Sequence, residues 1–123
     1  MSETKVLADT NTIINLSEGI GNVVPFLKHK DVYMSIITEI ELLGWYNVSA
    51  RDVQYFQSIF EACYIIELIH QIKNIAIQIK QENRIKLPDA IIAATAIFLE
   101  IPLLTFNLGF AKIKKLDLIL IKK

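Results

Sequence analysis

Short apolar segments alternate with helical segments along the chain, and this alternation constrains the fold more than any other feature. The apolar segments have the composition of strands and lie at residues 5–8, 32–34, 64–66, 103–105 and 118–121. Strands that are separated by helices pair in parallel and are covered by helices on both faces. We therefore predict an α/β fold, a three-layer α/β/α sandwich with a central, mainly parallel sheet of about five strands.

The segments between the strands carry apolar residues at helical spacing, together with residues that begin helices. The first predicted helix follows the capping residues 9–11 and ends at Gly19. Ser49 is the predicted cap of a later helix, and Pro88 indicates another helix start because proline suits the first helical turn. The other predicted helices cover residues 22–28, 35–44, 50–62, 69–82 and 89–100.

Composition limits the classes of protein to which the chain can belong. Its 123 residues, 53% of them hydrophobic, suffice for one domain over residues 1–123 with a full core. No apolar run reaches the roughly 18–20 residues of a membrane span, and the start of the sequence lacks the pattern of a signal peptide. We therefore expect a cytoplasmic protein that has no membrane partner. The single cysteine, Cys63, excludes an internal disulfide and a thiolate zinc site.

The charges of the chain balance, with thirteen Lys and Arg residues against thirteen Asp and Glu residues. Proteins that grip nucleic acid through many phosphates are usually strongly basic. Any binding of nucleic acid by this chain must therefore depend on a local basic patch or on metal ions. The lack of net charge also removes a repulsion between copies, which favours self-association or a bound partner.

Candidate functional residues follow the predicted strands at one edge of the sheet, where parallel sheets bind ligands. Asp9 follows the first strand, and Asp89 lies in the first turn of a helix. Thr105 and Asn107 lie at the turn that ends the fourth strand. Each of them also has a structural role open to it, namely helix capping for Asp9, interaction with the helix dipole for Asp89 and turn formation for Thr105 and Asn107. Carboxylates crowded into one cleft repel one another, however, and such an arrangement calls for hard divalent cations.

A further acid is expected from the helix that follows the second strand. Glu39 and Glu41 flank the apolar stripe of this helix on opposite sides, so helical periodicity does not choose between them. A solvated glutamate is the ordinary outcome at such a position. The residues alone leave this choice open.

Four segments of the sequence resemble the PIN-domain ribonucleases, in particular the VapC-like toxins of bacterial toxin–antitoxin pairs. They are residues 7–11, 35–42, 87–96 and 104–107, the last followed by Phe110, and they occur in the order of the family. The resemblance extends over essentially the whole chain, and its most specific segment is residues 87–96.

The resemblance implies a metal-dependent active site and identifies its acids. In the family's Thr-x-x-Glu-Leu pattern the acid is Glu41, and Glu39 fills a variable position. Asp9, Glu41 and Asp89 would bind Mg²⁺ or Mn²⁺, and Asn107 would occupy the fourth corner of the site. The residues expected to support this set are Thr10, Asn11 and Thr105.

One position departs from the family pattern. Many members carry an acid two residues beyond the position of Asn107, where this sequence has Gly109. The alternative to an active nuclease is therefore a catalytically weak or silent PIN-like protein that acts as a protein-binding or RNA-binding module.

A phosphate-accepting receiver domain is a rival from another class, since it has a similar length and a similar sheet. Such a domain needs paired acids after the first strand and an aspartate after the third strand. This sequence has Ala8 before Asp9 and Glu67 after the third strand, which argues against a receiver domain.

The predicted activity is that of an endoribonuclease in which a metal-activated water hydrolyses RNA phosphodiester bonds. No histidine lies within the four segments, so a route through the ribose 2′-hydroxyl has no support. The resemblance implies products with a 5′-phosphate and a 3′-hydroxyl. Arg84, Lys86 and Lys112 flank the predicted cleft and are candidate contacts to RNA, although such charges also occur on merely solvated surfaces.

The resemblance also implies protein partners. VapC-like toxins are typically held inactive by a small antitoxin and often dimerise, so we expect a cognate antitoxin and a homodimer. Four aromatic residues would supply an apolar contact surface if they do not pack in the core. They are Trp45, Tyr46, Phe56 and Phe60.

Overall fold

A computed structural model describes residues 4–122 of the chain, and within them five strands form one sheet. The strands are β1 (Lys5–Ala8), β2 (Asp31–Ser35), β3 (Tyr64–Ile66), β4 (Leu103–Thr105) and β5 (Leu118–Leu120). Their order across the sheet is β3-β2-β1-β4-β5, and every neighbouring pair is parallel. The predicted parallel sheet is confirmed.

Six α-helices and one 3-10 helix connect the strands within the described residues. They are α1 (Thr10–Ser17), α2 (Val24–Leu27), α3 (Ile36–Leu43), α4 (Ala50–Glu61), α5 (His70–Glu82), α6 (Leu87–Leu99) and the 3-10 helix Leu108–Lys112. Side chains cap three of the α-helices as their residue types favour. Asp9 accepts from the backbone N–H of Thr12, and Ser49 accepts from that of Asp52. Ser35 caps α3 in the same way.

The predicted elements agree with the observed ones to within about two residues at each end, and two differences lie next to the candidate site. Helix α6 begins at Leu87, two residues before the predicted start, because Pro88 is tolerated within a first turn whose N–H groups have no partner inside the helix. The 3-10 helix Leu108–Lys112 follows the predicted turn at residues 105–107, and no helix is predicted there. A helix of five residues is too short to show an apolar period, so the sequence gives no signal for it.

Buried apolar side chains cover both faces of the sheet. Leu7 and Ala8 follow each other in β1 and point to opposite faces, as successive strand residues do. The cluster around Leu7 includes side chains of α5 and α6, for example Ile72, Ile79, Ala90 and Ala94. The cluster around Ala8 includes Ile13, Met34, Leu42 and Phe60, which come from α1, β2, α3 and α4. These two clusters confirm the three-layer sandwich.

Helix α6 carries small residues where it faces the core. Ala90, Ala93, Ala94 and Ala96 are all at most 1% exposed. Because alanine adds little volume, the helix backbone packs close to its neighbours. The first turn of α6, which contains Asp89, is held in place by this packing.

The strand order reverses at β1: β2 and β3 are added on one side of it, and β4 and β5 on the other. In sheets of this kind ligands bind in the crevice beyond the carboxyl ends of the strands at such a switch. Asp9 directly follows β1, and Thr105 is the last residue of β4. No helix within residues 4–122 has the length and hydropathy needed to cross a membrane.

Candidate functional site

A cleft of about 340 Å³ lies beyond the carboxyl ends of β1 and β4. The residues predicted as catalytic all line it, namely Asp9, Glu41, Asp89 and Asn107. We call this cavity the acidic cleft. Its other polar lining residues are Thr10, Asn11 and Lys86, while Thr105 lies beneath it and contacts Asp9.

Asp9 is fixed by hydrogen bonds to both of its carboxylate oxygens and is 4% exposed. Its Oδ1 accepts from the backbone N–H of Thr12 at 2.9 Å and lies 2.7 Å from the Thr12 hydroxyl. Its Oδ2 accepts from the hydroxyl of Thr105 at 2.5 Å, and Thr105 in turn accepts from the N–H of Asn107. Asp9 is thus both a helix cap and a wall of the acidic cleft, so its two predicted roles do not exclude each other.

Thr12 is a site residue that the sequence analysis misses. Its hydroxyl lies 2.7 Å from Asp9 Oδ1 and 3.0 Å from the carbonyl oxygen of Leu104, and its single proton serves one acceptor at a time. Thr12 therefore links α1 to β4 underneath the carboxylate. The available signal was its position three residues beyond a capping aspartate, which predicts the backbone bond but not the contact to β4.

Glu41 is held by a pair of threonines. The hydroxyl of Thr10 donates to Glu41 Oε1 at 2.6 Å and lies 3.1 Å from the hydroxyl of Thr38. Because Thr10 uses its only proton for Glu41, the buried Thr38 is the donor in the second bond. The acidic cleft is lined by Glu41 and not by Glu39, so the tertiary structure makes the choice that periodicity leaves open.

Asp89 lies half-buried in the first turn of α6. Burial raises the pKa of its carboxyl group, the negative charges of Asp9 and Glu41 raise it further, and the nearby Lys86 lowers it. The charges of Asp9 and Glu41 therefore act on Asp89 across the cleft. Their combined negative charge is the electrostatic environment that a divalent cation neutralises.

The donor set of the acidic cleft fits a hard divalent cation in chemical type. Carboxylate and amide oxygens are the ligands that Mg²⁺ prefers, whereas zinc sites draw on histidine and cysteine. The arrangement is open, since no three acidic, histidine or cysteine side chains among residues 4–122 are grouped as a preformed cation site. The half-buried Glu41 and Asp89 have more freedom to move toward a cation than the buried Asp9.

A second depression of about 430 Å³ continues from the acidic cleft and is lined by the three predicted RNA contacts, Arg84, Lys86 and Lys112. We call it the basic groove. It shares Lys86, Asp89 and Asn107 with the acidic cleft. Lys112 Nζ donates to the carbonyl oxygen of Arg84, and Lys80 Nζ donates to that of Ile85 at 2.8 Å. These two bonds fix the loop between α5 and α6 that carries Arg84 and Lys86.

The four aromatic residues predicted as a contact surface divide between surface and core. Trp45 and Tyr46 are 66% and 88% exposed, whereas Phe60 is buried and stacks with the half-buried Phe56. Trp45 and Phe56 also line an apolar groove of about 650 Å³ between α1 and α4. For Phe60, the core position is the correct interpretation.

Other reactive residue types lie away from the acidic cleft. Burial raises the pKa of the Cys63 thiol, which disfavours the reactive thiolate. His29 and His70 are exposed and do not line the cleft. Neither residue type is therefore placed to provide a nucleophile or a base beside the three carboxylates.

Comparison with solved structures supports the same architecture. The chain is 30% identical to a chain of a toxin–antitoxin complex from Klebsiella pneumoniae, with 93% of this chain and 95% of that chain covered and a TM-score of 0.79. It is 27% identical to a chain of FitAcB from Neisseria gonorrhoeae, with 92% and 95% covered and a TM-score of 0.73. A chain of VapBC2 from Rickettsia felis, bound to a promoter DNA fragment, is 20% identical over 94% and 97% and shares the fold with a TM-score of 0.81.

No curated protein matches the sequence. The family model of the PIN domain, however, matches residues 6–116. This range contains β2, β3, β4 and all of β1 except Lys5, and it ends before β5. PIN domains are nucleases as a family, so cleavage of a nucleic acid is the class of activity that this match supports. The chain belongs to the PIN-domain family.

Proposed function

We propose that this chain is a divalent-metal-dependent endoribonuclease that hydrolyses RNA phosphodiester bonds, and that it is the toxin of a toxin–antitoxin pair. The observation that carries the proposal is the acidic cleft, which is lined by the three carboxylates of Asp9, Glu41 and Asp89. Burial raises the pKa of Asp89, and the charges of Asp9 and Glu41 raise it further. The toxin role is supported by similar solved structures that are described as toxin–antitoxin complexes. The proposed domain covers residues 1–123.

Asp9, Glu41 and Asp89 are the residues that would hold Mg²⁺ or Mn²⁺. When bound, such an ion lowers the pKa of water and stabilises negative charge on phosphate oxygens. Asp9 is the fixed member of the set, because neutral donors hold both of its oxygens. Glu41 is oriented through Thr10, and Asn11 lines the cleft beside it.

The basic groove is the proposed path of the RNA backbone away from the site of cleavage. Arg84 and Lys86 are exposed there and carry the positive charge that phosphates need. The planar guanidinium of Arg84 suits a phosphate in particular. Lys112 adds charge and also holds the Arg84 loop through its hydrogen bond.

Glu41 and Glu39 provide a matched pair of variants for the test, because they lie on one helix and only Glu41 lines the acidic cleft. Structured RNAs are incubated with each protein, with Mg²⁺, with Mn²⁺ or with EDTA. We expect metal-dependent cleavage by the wild type, a loss of about a hundredfold or more in Glu41→Gln, and a change within about twofold in Glu39→Gln. Equal cleavage by all three proteins, or cleavage in EDTA, contradicts the proposal.

A catalytically silent PIN-like binding module is the second candidate function, and Gly109 is the observation that favours it. The same assay separates the two candidates. A binding module retains RNA on a filter or in a gel shift but releases no new 5′-phosphate ends with either metal.

We propose two protein partners, an antitoxin and a second copy of the chain, and a cytoplasmic location. The exposed Trp45 and Tyr46 beside the apolar groove support a protein-binding surface. Light scattering of the purified chain at tens of micromolar tests the homodimer, for which we expect twice the mass of 14.0 kDa. A monomer mass at that concentration contradicts it.

A further inference from the structure

Asn107 lies where the acidic cleft meets the basic groove, and it lines both. Its side-chain Oδ1 accepts a hydrogen bond from the backbone N–H of Gly109 at 2.8 Å. This bond assigns the amide, since a backbone N–H needs an acceptor. Oδ1 keeps one lone pair, whereas both N–H groups of Nδ2 are unused. No residue within the described part of the chain accepts a hydrogen bond from Asn107 Nδ2.

Gly109 makes this arrangement possible by leaving space. A Cβ atom at position 109 would lie 2.9 Å from Asn107 Oδ1, which is closer than such atoms approach in proteins. Any other residue at position 109 therefore displaces the Asn107 amide from the start of the 3-10 helix. The glycine that departs from the family pattern thus leaves the space in which the Asn107 amide lies, while its N–H fixes Oδ1 as the bonded end.

The free end is a hydrogen-bond donor, and a donor suits an anion rather than a cation. An N–H group of an amide has no lone pair for a metal, whereas it pairs well with a phosphate oxygen. The charged side chains of the basic groove are the three cations Arg84, Lys86 and Lys112 and the carboxylate of Asp89, which it shares with the acidic cleft. The excess of cations favours an anion.

We infer that Asn107 binds the RNA backbone, with Nδ2 donating to a phosphate oxygen as the strand passes from the acidic cleft into the basic groove, and that Gly109 sets this role. The inference rests on the proposed function for the identity of the ligand as RNA. It assigns cation binding to the three carboxylates alone and gives Asn107 a substrate contact.

The test uses Asn107→Ser, because the serine hydroxyl keeps a neutral acceptor for the N–H of Gly109. Serine has no Nδ2 group, and its one hydroxyl proton lies a bond nearer to the backbone than the amide donors do. Two quantities are measured: Mn²⁺ affinity by calorimetry without RNA, and affinity for a labelled RNA hairpin by fluorescence anisotropy in EDTA. We expect Mn²⁺ affinity within about twofold of the wild type and RNA affinity lower by about tenfold, the effect of one lost bond to a charged group. Gly109→Ala, which keeps Asn107 but moves its amide, is expected to lower RNA affinity in the same way.

Several results overturn the inference. A tenfold loss of Mn²⁺ affinity in Asn107→Ser makes Asn107 a cation ligand, and unchanged RNA affinity makes it only a helix cap. Unchanged RNA affinity in Gly109→Ala removes the role of Gly109. The proposed nuclease fails separately, if the wild type binds the hairpin but does not cut it with Mg²⁺ or Mn²⁺.

Discussion

The two sides of the acidic cleft hold their carboxylates in different ways. On the β1 side, Asp9 is buried and receives hydrogen bonds from Thr12 and Thr105. On the α6 side, Asp89 is half-buried, and no residue within positions 4–122 donates a hydrogen bond to it. The comparison indicates that the β1 side is fixed before any ligand arrives. The α6 side carries a repulsion that Lys86 offsets only in part and that a cation or a proton removes.

The largest effect is expected from Asp9→Asn, which breaks the β1 side. The asparagine Nδ2 group, which is a donor, would replace a carboxylate oxygen that accepts from Thr12 or from Thr105. Two donors would then face each other. We expect cleavage to fall by about a hundredfold or more and the free energy of unfolding to fall by about 1–3 kcal/mol. RNA cleavage assays and urea unfolding measure the two quantities. If Asp9→Asn keeps both wild-type activity and wild-type stability, the hydrogen bonds to Asp9 do not fix the β1 side of the cleft.

A smaller effect is expected from Thr12→Val, which removes only the hydroxyl beneath Asp9. The substitution keeps the side-chain volume but leaves Asp9 Oδ1 with the backbone N–H alone, so we expect unfolding to require about 1–2 kcal/mol less. Thr12→Ser keeps the hydroxyl and serves as the matched control in urea unfolding. A valine variant as stable as the serine variant would show that the hydroxyl does not fix the β1 side.

The smallest effect is expected from Asp89→Asn and concerns the pH dependence of stability. Because burial and the neighbouring charges raise the pKa of Asp89 in the folded chain, the folded state binds more protons than the unfolded state between the two pKa values. Stability in EDTA therefore falls as the pH rises through this interval. Asparagine carries no charge and avoids this loss. We expect its Tm at pH 7 to exceed that of the wild type by about 1–2 °C, since Asp89 is partly solvated and interacts favourably with the α6 dipole.

Thermal unfolding in EDTA and in Mn²⁺ measures this effect, with the exposed Asp117→Asn as a control for the loss of one charge. Excess Mn²⁺ is expected to reverse the order by stabilising the wild type more than Asp89→Asn. A lower Tm of Asp89→Asn at pH 7 in EDTA would show that the α6 side carries no net repulsion.

Local patterns in the sequence predict the fold and most of the positions in the cleft. Strands β1, β3 and β4 have the predicted bounds, because each is a short apolar run whose flanking turn-forming residues mark where it begins and ends. Asp9 and Asp89 follow from their positions at a strand end and at a helix start. Such signals lie within a few residues of the element that they define.

Contacts between distant residues are what the sequence alone does not predict. Glu41 and Glu39 are equivalent on a helical wheel, and a bond from Thr10, 31 residues earlier, distinguishes them. Thr12 has its second acceptor on Leu104, 92 residues away, so no local pattern includes it. The free amide end of Asn107 depends on space at Gly109, which is a property of the folded loop.

Because of the alanine face of α6, substitutions at residues that no ligand reaches can change the geometry of the cleft. Ala90, Ala93 and Ala94 are completely buried, so a larger side chain at any of them would push the helix away from the core. The first turn of the helix would move with it and carry Asp89 away from Asp9. A random mutagenesis screen for inactive variants should therefore recover substitutions along this buried face as well as among the charged residues.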